Sequence, residues 1–146
     1  MNLADRIGGI RFSIDEWMVT LFAADMSRPL EPSWIWERVG RCETMTSSMA
    51  LQVVERGAPV ILDLGFQRME QRRTMAEHFR GKSFDVQLHW LDVDVEERWN
   101  RVSARNDQQG ATYKLTVTKP MFDFIETRWE APTSNELLAM NGSRIG

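Results

Sequence analysis

The sequence predicts an α/β fold with a largely parallel sheet. Short apolar runs alternate with longer amphipathic helical patterns along the whole chain, the arrangement that parallel strands with helical crossovers require. One of those runs, "APVILDLGF", puts Val60, Ile61 and Leu62 in succession behind Pro59, as a strand covered on both faces does. Another, "SFDVQLHW", alternates Phe84, Val86, Leu88 and Trp90 with polar Asp85, Gln87 and His89, the period of a half-buried strand.

Taken in order, "NLADRIGG" carries Leu3, Ala4 and Ile7 at helical spacing and reads as the end of a helix stopped by Gly8 and Gly9. "GIRFSID" is a short strand that empties into a helix from about Asp15 to Ala24. "LEPSWIWERV" opens a second helix, with Ser33 as its candidate N-cap, that runs to Glu55 before Gly57 ends it. The "VILD" strand follows. "FQRMEQRRTMAEHFR" then places Phe66, Met69, Ala76 and Phe79 on one side of a helix, and Gly81 is expected to close it in the left-handed conformation. After the "SFDVQLHW" strand, "DVEERWNRVSARN" is a helix, "DQQGATYKLT" a polar loop, and "TKPMFDFIETRW" a final helix with Thr118 as cap and Pro120 in its first turn. The terminal "LLAMNGSRIG" gives no clear strand.

A chain of 146 residues fits one domain with a real core. A formal net charge of −3 and a pI near 5.4 argue against a general polyanion-binding surface. Cys42 stands alone, which excludes an intramolecular disulfide, and neither His78 nor His89 has a metal-ligand spacing around it. The N-terminus has no leader pattern, and no window approaches the roughly 18 uninterrupted apolar residues of a membrane-spanning helix. A soluble, cytoplasmic protein is the expectation, with no membrane partner.

"FRGKSF" contains the end of a phosphate-binding loop, yet it does not make one. The motif G-x-x-x-x-G-K-[ST] needs a strand before the glycines and a helix after them. Here Ala76 holds the first glycine's place, and the order is helix, glycine, strand. Lys82 therefore reads as a solvated loop lysine.

In an open parallel sheet, ligands sit beyond the carboxyl ends of the strands. Asp63 closes "VILD", where a carboxylate can hold Mg²⁺ directly or through water. Asp15 follows "IRFSI" and can accept a proton from a substrate hydroxyl, with Ser13 helping to hold that substrate; the alternative is a helix N-cap, the commoner use of such an aspartate. The "GFQR" turn, from Gly65 to Arg68, can bring backbone and a cation to a substrate, or simply connect strand to helix. Arg98, Arg101 and Arg105 share a helical face that suits a lid over a polyphosphate. The alternative is a solvated face with Asp94–Arg98 and Glu97–Arg101 pairs. Of the tryptophans, Trp34, Trp36 and Trp129 read as core or groove residues, and the pair at 34 and 36 can wall a pocket.

Read in succession, "RFSIDEWMVTLF", "VILDLGFQRMEQR", "LHWLDVDVEERWNRVSARN" and "WEAPTSNE" resemble the landmarks of small P-loop kinases. That group includes predicted bacterial ATP-binding kinases related to chloramphenicol phosphotransferase, zeta-type toxins and the kinase half of polynucleotide kinases. The resemblance covers about residues 3 to 137. It implies a three-layer P-loop kinase-like domain over 1–146, an ATP and Mg²⁺ requirement, and a small-molecule hydroxyl acceptor or a nucleic-acid end as partner. It also implies roles: Asp15 activates the acceptor hydroxyl, Asp63 is the Walker B-like aspartate, Arg101 and Arg105 are lid arginines at the phosphates, and Pro132 lies in the loop near the base. The family begins with a strand, a glycine-rich loop and a helix, of which only "NLADRIGG" is matched. With strand order 2-3-1-4-5, the strands at 60–63 and 86–91 then lack their shared neighbour and expose edges open to self-association. The expectation is an ATP-dependent phosphotransferase, inactive as this chain. The alternative is a non-catalytic interaction protein built on the same fold.

Overall fold

In the computed structural model, which describes residues 3–26, 31–108 and 116–145, α1 (Leu3–Ile7) is turned into β1 (Ile10–Ser13) by a pair of glycines with different duties. Gly8 takes φ +62°, a region that side chains disfavour. Gly9 is needed for space, because a Cβ there would stand 2.9 Å from the Pro59 carbonyl oxygen. That close approach sets β1 beside β2 (Val60–Asp63) in parallel, with Ile10 opposite Val60 and Ser13 opposite Asp63. Two helices connect the strands: α2 (Ile14–Phe22), continued by a 3₁₀ turn at Ala23–Asp25, and α3 (Pro32–Val54). The N-cap position of α3 is Glu31 and not Ser33, since Pro32 at the first helical position needs no N–H partner and starts the helix earlier. Gly57, at φ +82°, follows its end as expected. Cys42, Thr46 and Ala50 form the buried stripe of α3, and Phe12, Met18 and Leu64 are also buried. This first unit covers residues up to Gly65.

The second unit, from Phe66 onward, contains α4 (Met69–Arg80), β3 (His89–Leu91), α5 (Val95–Gln108), α6 (Lys119–Glu126), α7 (Ser134–Ala139) and β4 (Ser143–Ile145). The sequence correctly orders α4, a strand, α5 and α6, with two corrections. The α6 helix is not the last, and the C-terminal segment does supply a strand, parallel to β3. Gly142 makes this possible, because a Cβ there would meet Leu137 Cδ2 at 2.8 Å and the Leu88 carbonyl oxygen at 3.1 Å. Only His89 and Trp90 of the "SFDVQLHW" pattern join the strand, with Leu91 after them, since pairing runs no further than β4 does. Each pair of strands is a separate two-stranded parallel sheet among the described residues, and with the helices they make the chain an α/β protein. No described helix is long and apolar enough to cross a membrane.

The end of α4 corrects a further expectation. Gly81 is right-handed at φ −60°, and Ser83 takes the left-handed position at φ +66°. The helical path runs on past Gly81, and Phe84 N–H donates to the Phe79 carbonyl at 3.2 Å while Ser83 N–H donates to that of Arg80 at 2.8 Å, a Schellman closure. Ser83→Gly is therefore expected to stabilise the protein by about 1 kcal/mol, read as a higher urea midpoint. A lower midpoint would show that Ser83 is not in this conformation.

Candidate functional site

Two-residue alternation puts Arg11, Ser13 and Asp63 on one face of the β1–β2 pair. Ser13 is 4 % exposed and closes β1. It also occupies the N-cap position of α2, without a side-chain capping bond. Asp15 is consequently not the cap: it lies exposed in the first turn of α2, where its charge favours the positive end of the helix. Arg11 bridges the neighbourhood, its Nη2 donating to Asp63 Oδ2 at 2.5 Å and its Nη1 to Glu16 Oε1 at 3.0 Å. The hydrogen bond to Asp63 leads in raising the Arg11 pKa, against the opposing effect of burial.

Asp63 thus stands at the carboxyl end of a parallel strand, but with a guanidinium on it. Mg²⁺ is commonly held by one or two carboxylates with phosphate and water oxygens, so Asp63 fits as a single ligand in exchange with Arg11. No group of three or more His, Cys, Asp or Glu suited to a metal occurs among the described residues.

In the second unit the three arginines of α5 part company. Arg98 does not pair with Asp94; it makes a bidentate bridge to Glu126 on α6 at 2.9 and 2.8 Å. Asp94 instead accepts the Glu96 N–H at the start of the helix. Arg101 pairs with Glu97 at 2.8 Å on an open surface, as the solvated-face alternative has it. Arg105 is half-buried, its Nε is buried without a hydrogen-bond partner, and no described carboxylate pairs with it. Of the three, Arg105 is the one without an ion pair among the described residues. Most of the polar loop read as a lid, residues 109–115, lies outside the described residues.

The turn after β2 is tightly wound, with Gly65 at φ +84° and Phe66 at φ +36°. Arg68 is exposed, and its backbone N–H donates to Gln71 Oε1 at 3.1 Å to open α4. The "WEAPT" loop lies against this turn: Glu130 N–H donates to the Gln67 carbonyl and Glu130 Oε2 accepts the Met69 N–H, both at 2.8 Å. Pro132 is itself buried, which leaves Ala131 and Thr133 as the exposed neighbours in the loop.

The sequence reading missed Arg72 and Glu136, which form a buried bidentate ion pair at 2.5 and 3.1 Å. The buried face of α4 is Arg72, Ala76 and Phe79; Met69, placed on it by periodicity, is 48 % exposed, and Phe66 precedes the helix. One signal was present. "TSNE" has the Thr-x-x-Glu spacing of a capping box, and Thr133 Oγ1 does accept the Glu136 N–H, but the Glu136 carboxylate turns to Arg72.

The histidines are structural: His78 packs edge-on against Phe79, and His89 meets Ser143 Oγ at 3.0 Å. Trp34 carries the Arg38 guanidinium on its ring at 3.8 Å. A cavity of about 330 Å³ between α5 and α6 is lined by Trp99, Asn100, Lys119 and Phe122 among others and contains none of the residues singled out in the sequence.

Parallel strands ending in Ser13 and Asp63, the first running straight into α2 and the second passing through a turn into α4, are consistent with a P-loop NTPase-like α/β domain. The sequence model of a family described as AAA domain matches residues 1–122, and the chain belongs to that family. No match is found among curated proteins or among solved structures.

Proposed function

We propose that the chain is an ATP-dependent phosphotransferase domain that acts on a hydroxyl acceptor. The observation that carries this reading is the register of β1 and β2, which sets Ser13 opposite Asp63 at the strand ends, with Asp15 in the first turn beyond. In the proposed reaction Asp15 takes the acceptor's proton as its oxygen bonds to the γ-phosphorus of ATP and the bond to the β-phosphate oxygen breaks, releasing ADP. Ser13, Gly65 and Arg68 hold the acceptor. Asp63 would hold Mg²⁺, which would supply charge neutralisation at the phosphates; the family resemblance assigns phosphate charge to Arg105 with Arg101 in support, and the border of the base to the loop at Pro132.

Phosphoryl transfer depends on positioning and charge stabilisation, chiefly by a ring of backbone donors around the phosphates. The sequence contains no G-x-x-x-x-G-K-[ST]. Lys82 is exposed in the turn that follows α4, so it offers no substitute. This chain is expected to bind ATP·Mg²⁺ with a Kd weaker than about 10 μM by calorimetry, and Lys82→Ala is expected to leave every nucleotide titration unchanged. Tighter binding, or its loss in Lys82→Ala, would overturn this part of the reading.

The activity itself is tested by preceding the chain with a strand and a G-x-x-x-x-G-K-[ST] loop and supplying ATP, Mg²⁺ and pooled hydroxyl acceptors. Phosphorylated acceptor is the expected product. A second reading, a non-catalytic interaction protein, draws on the two separate two-stranded sheets, since isolated strand pairs are marginal and open edges recruit other chains. Dimerisation with rising concentration, indifferent to nucleotide and without phosphorylated product, would favour it.

A further inference from the structure

Arg72 and Glu136 are 4 % and 7 % exposed, and every polar arm of the Arg72 guanidinium is used. Nε and Nη2 hold the Glu136 carboxylate, while Nη1 donates to the Phe66 carbonyl at 2.9 Å. That carbonyl belongs to a bulky residue at positive φ, a conformation that persists only where its surroundings over-determine it. From the other side, Glu136 is tied through its N–H to Thr133, and Glu130 bonds to Gln67 and Met69.

A buried ion pair is a poor source of stability, because well-packed apolar residues of similar volume do as well or better. What they cannot supply is direction: only a planar fork can grip a carboxylate and a backbone carbonyl together. We propose that Arg72 and Glu136 are positioning residues that lock the Phe66–Arg68 turn to the Glu130–Thr133 loop as one body. An anion bound at Arg68 is then felt at the loop assigned to the nucleotide base. The locking stands on geometry alone; the coupling rests on the functional reading of the two loops.

Amide hydrogen exchange on the full chain tests the locking in Arg72→Lys, which keeps a charge for Glu136 but lacks the fork, and in the double variant Arg72→Met with Glu136→Leu, which keeps a filled core. In both, the amides of Arg68, Met69 and Glu130 are expected to exchange at least about tenfold faster, the worth of one charge-assisted hydrogen bond, with α5 and α6 unchanged. Unaltered exchange at those three amides overturns the proposal. So does a uniform rise across the second unit, which would mark the pair as merely structural.

Titration with pyrophosphate, followed by amide chemical shifts, tests the coupling. The native chain is expected to shift at Arg68 and at Ala131 and Thr133 together, and Arg72→Lys at Arg68 only. A native shift confined to Arg68 overturns the coupling. No shift at Arg68 overturns both the coupling and the substrate role of Arg68, while exchange decides the locking independently.

Discussion

Asp15→Asn is expected to lower phosphoryl transfer by roughly 10²- to 10⁴-fold, the usual worth of a general base, in a form of the chain preceded by a phosphate-binding loop. ATP affinity should be unchanged, because the residue serves the acceptor and not the phosphates. The position of Asp15 sharpens the test. Ser13, and not Asp15, occupies the N-cap position of α2, so a structural Asp15 acts through its charge in the first turn and not as the cap. Losing that charge costs about 0.3–1 kcal/mol of stability and nothing in turnover. Full turnover in Asp15→Asn with a slightly lower urea midpoint would remove the catalytic role and leave the helix-dipole one. Arg105→Ala provides the contrast, with slower acceptor phosphorylation and slower background ATP hydrolysis together, because it would act on the phosphates.

Glu136→Ala is expected to destabilise the second unit by about 3–5 kcal/mol, since it leaves the Arg72 guanidinium buried without its counter-charge. A loss of that size is a large share of the roughly 5–15 kcal/mol that a domain has in all. Urea unfolding monitored by tryptophan fluorescence would read it, Trp129 lying 5.8 Å from the Arg72 guanidinium carbon. Arg101→Ala, which opens the exposed bridge to Glu97, should cost less than about 1 kcal/mol. A loss below about 1 kcal/mol in Glu136→Ala would mean that solvent reaches the pair.

The legible parts of this fold were those with a local physical cause. Three apolar residues behind Pro59, Val60 to Leu62, gave β2; Gly8 and Gly57 marked helix ends because left-handed backbone excludes most side chains; and the period of 3.6 gave α3, α4 and α5. Strand lengths were less legible, because a strand ends where its partner ends. The "SFDVQLHW" pattern therefore shrank to the span of a β4 that sequence did not announce. Helix caps shifted for a related reason: Pro32 started α3 before Ser33 could cap it, and Ser13 preceded Asp15 at α2.

By itself the sequence determined the α/β class, the order of most elements, the absence of a working motif at Lys82, and the placing of Asp63 at a strand end and of Asp15 just past one. All of these follow from periodicity, backbone sterics and neighbours close along the chain. Only the tertiary structure decided which charges are taken: Arg11 by Asp63, Arg98 by Glu126, and Arg72 by Glu136, a residue 64 positions away. Ion pairs across such separations leave no periodic trace, because a carboxylate answers any guanidinium that folding brings within reach.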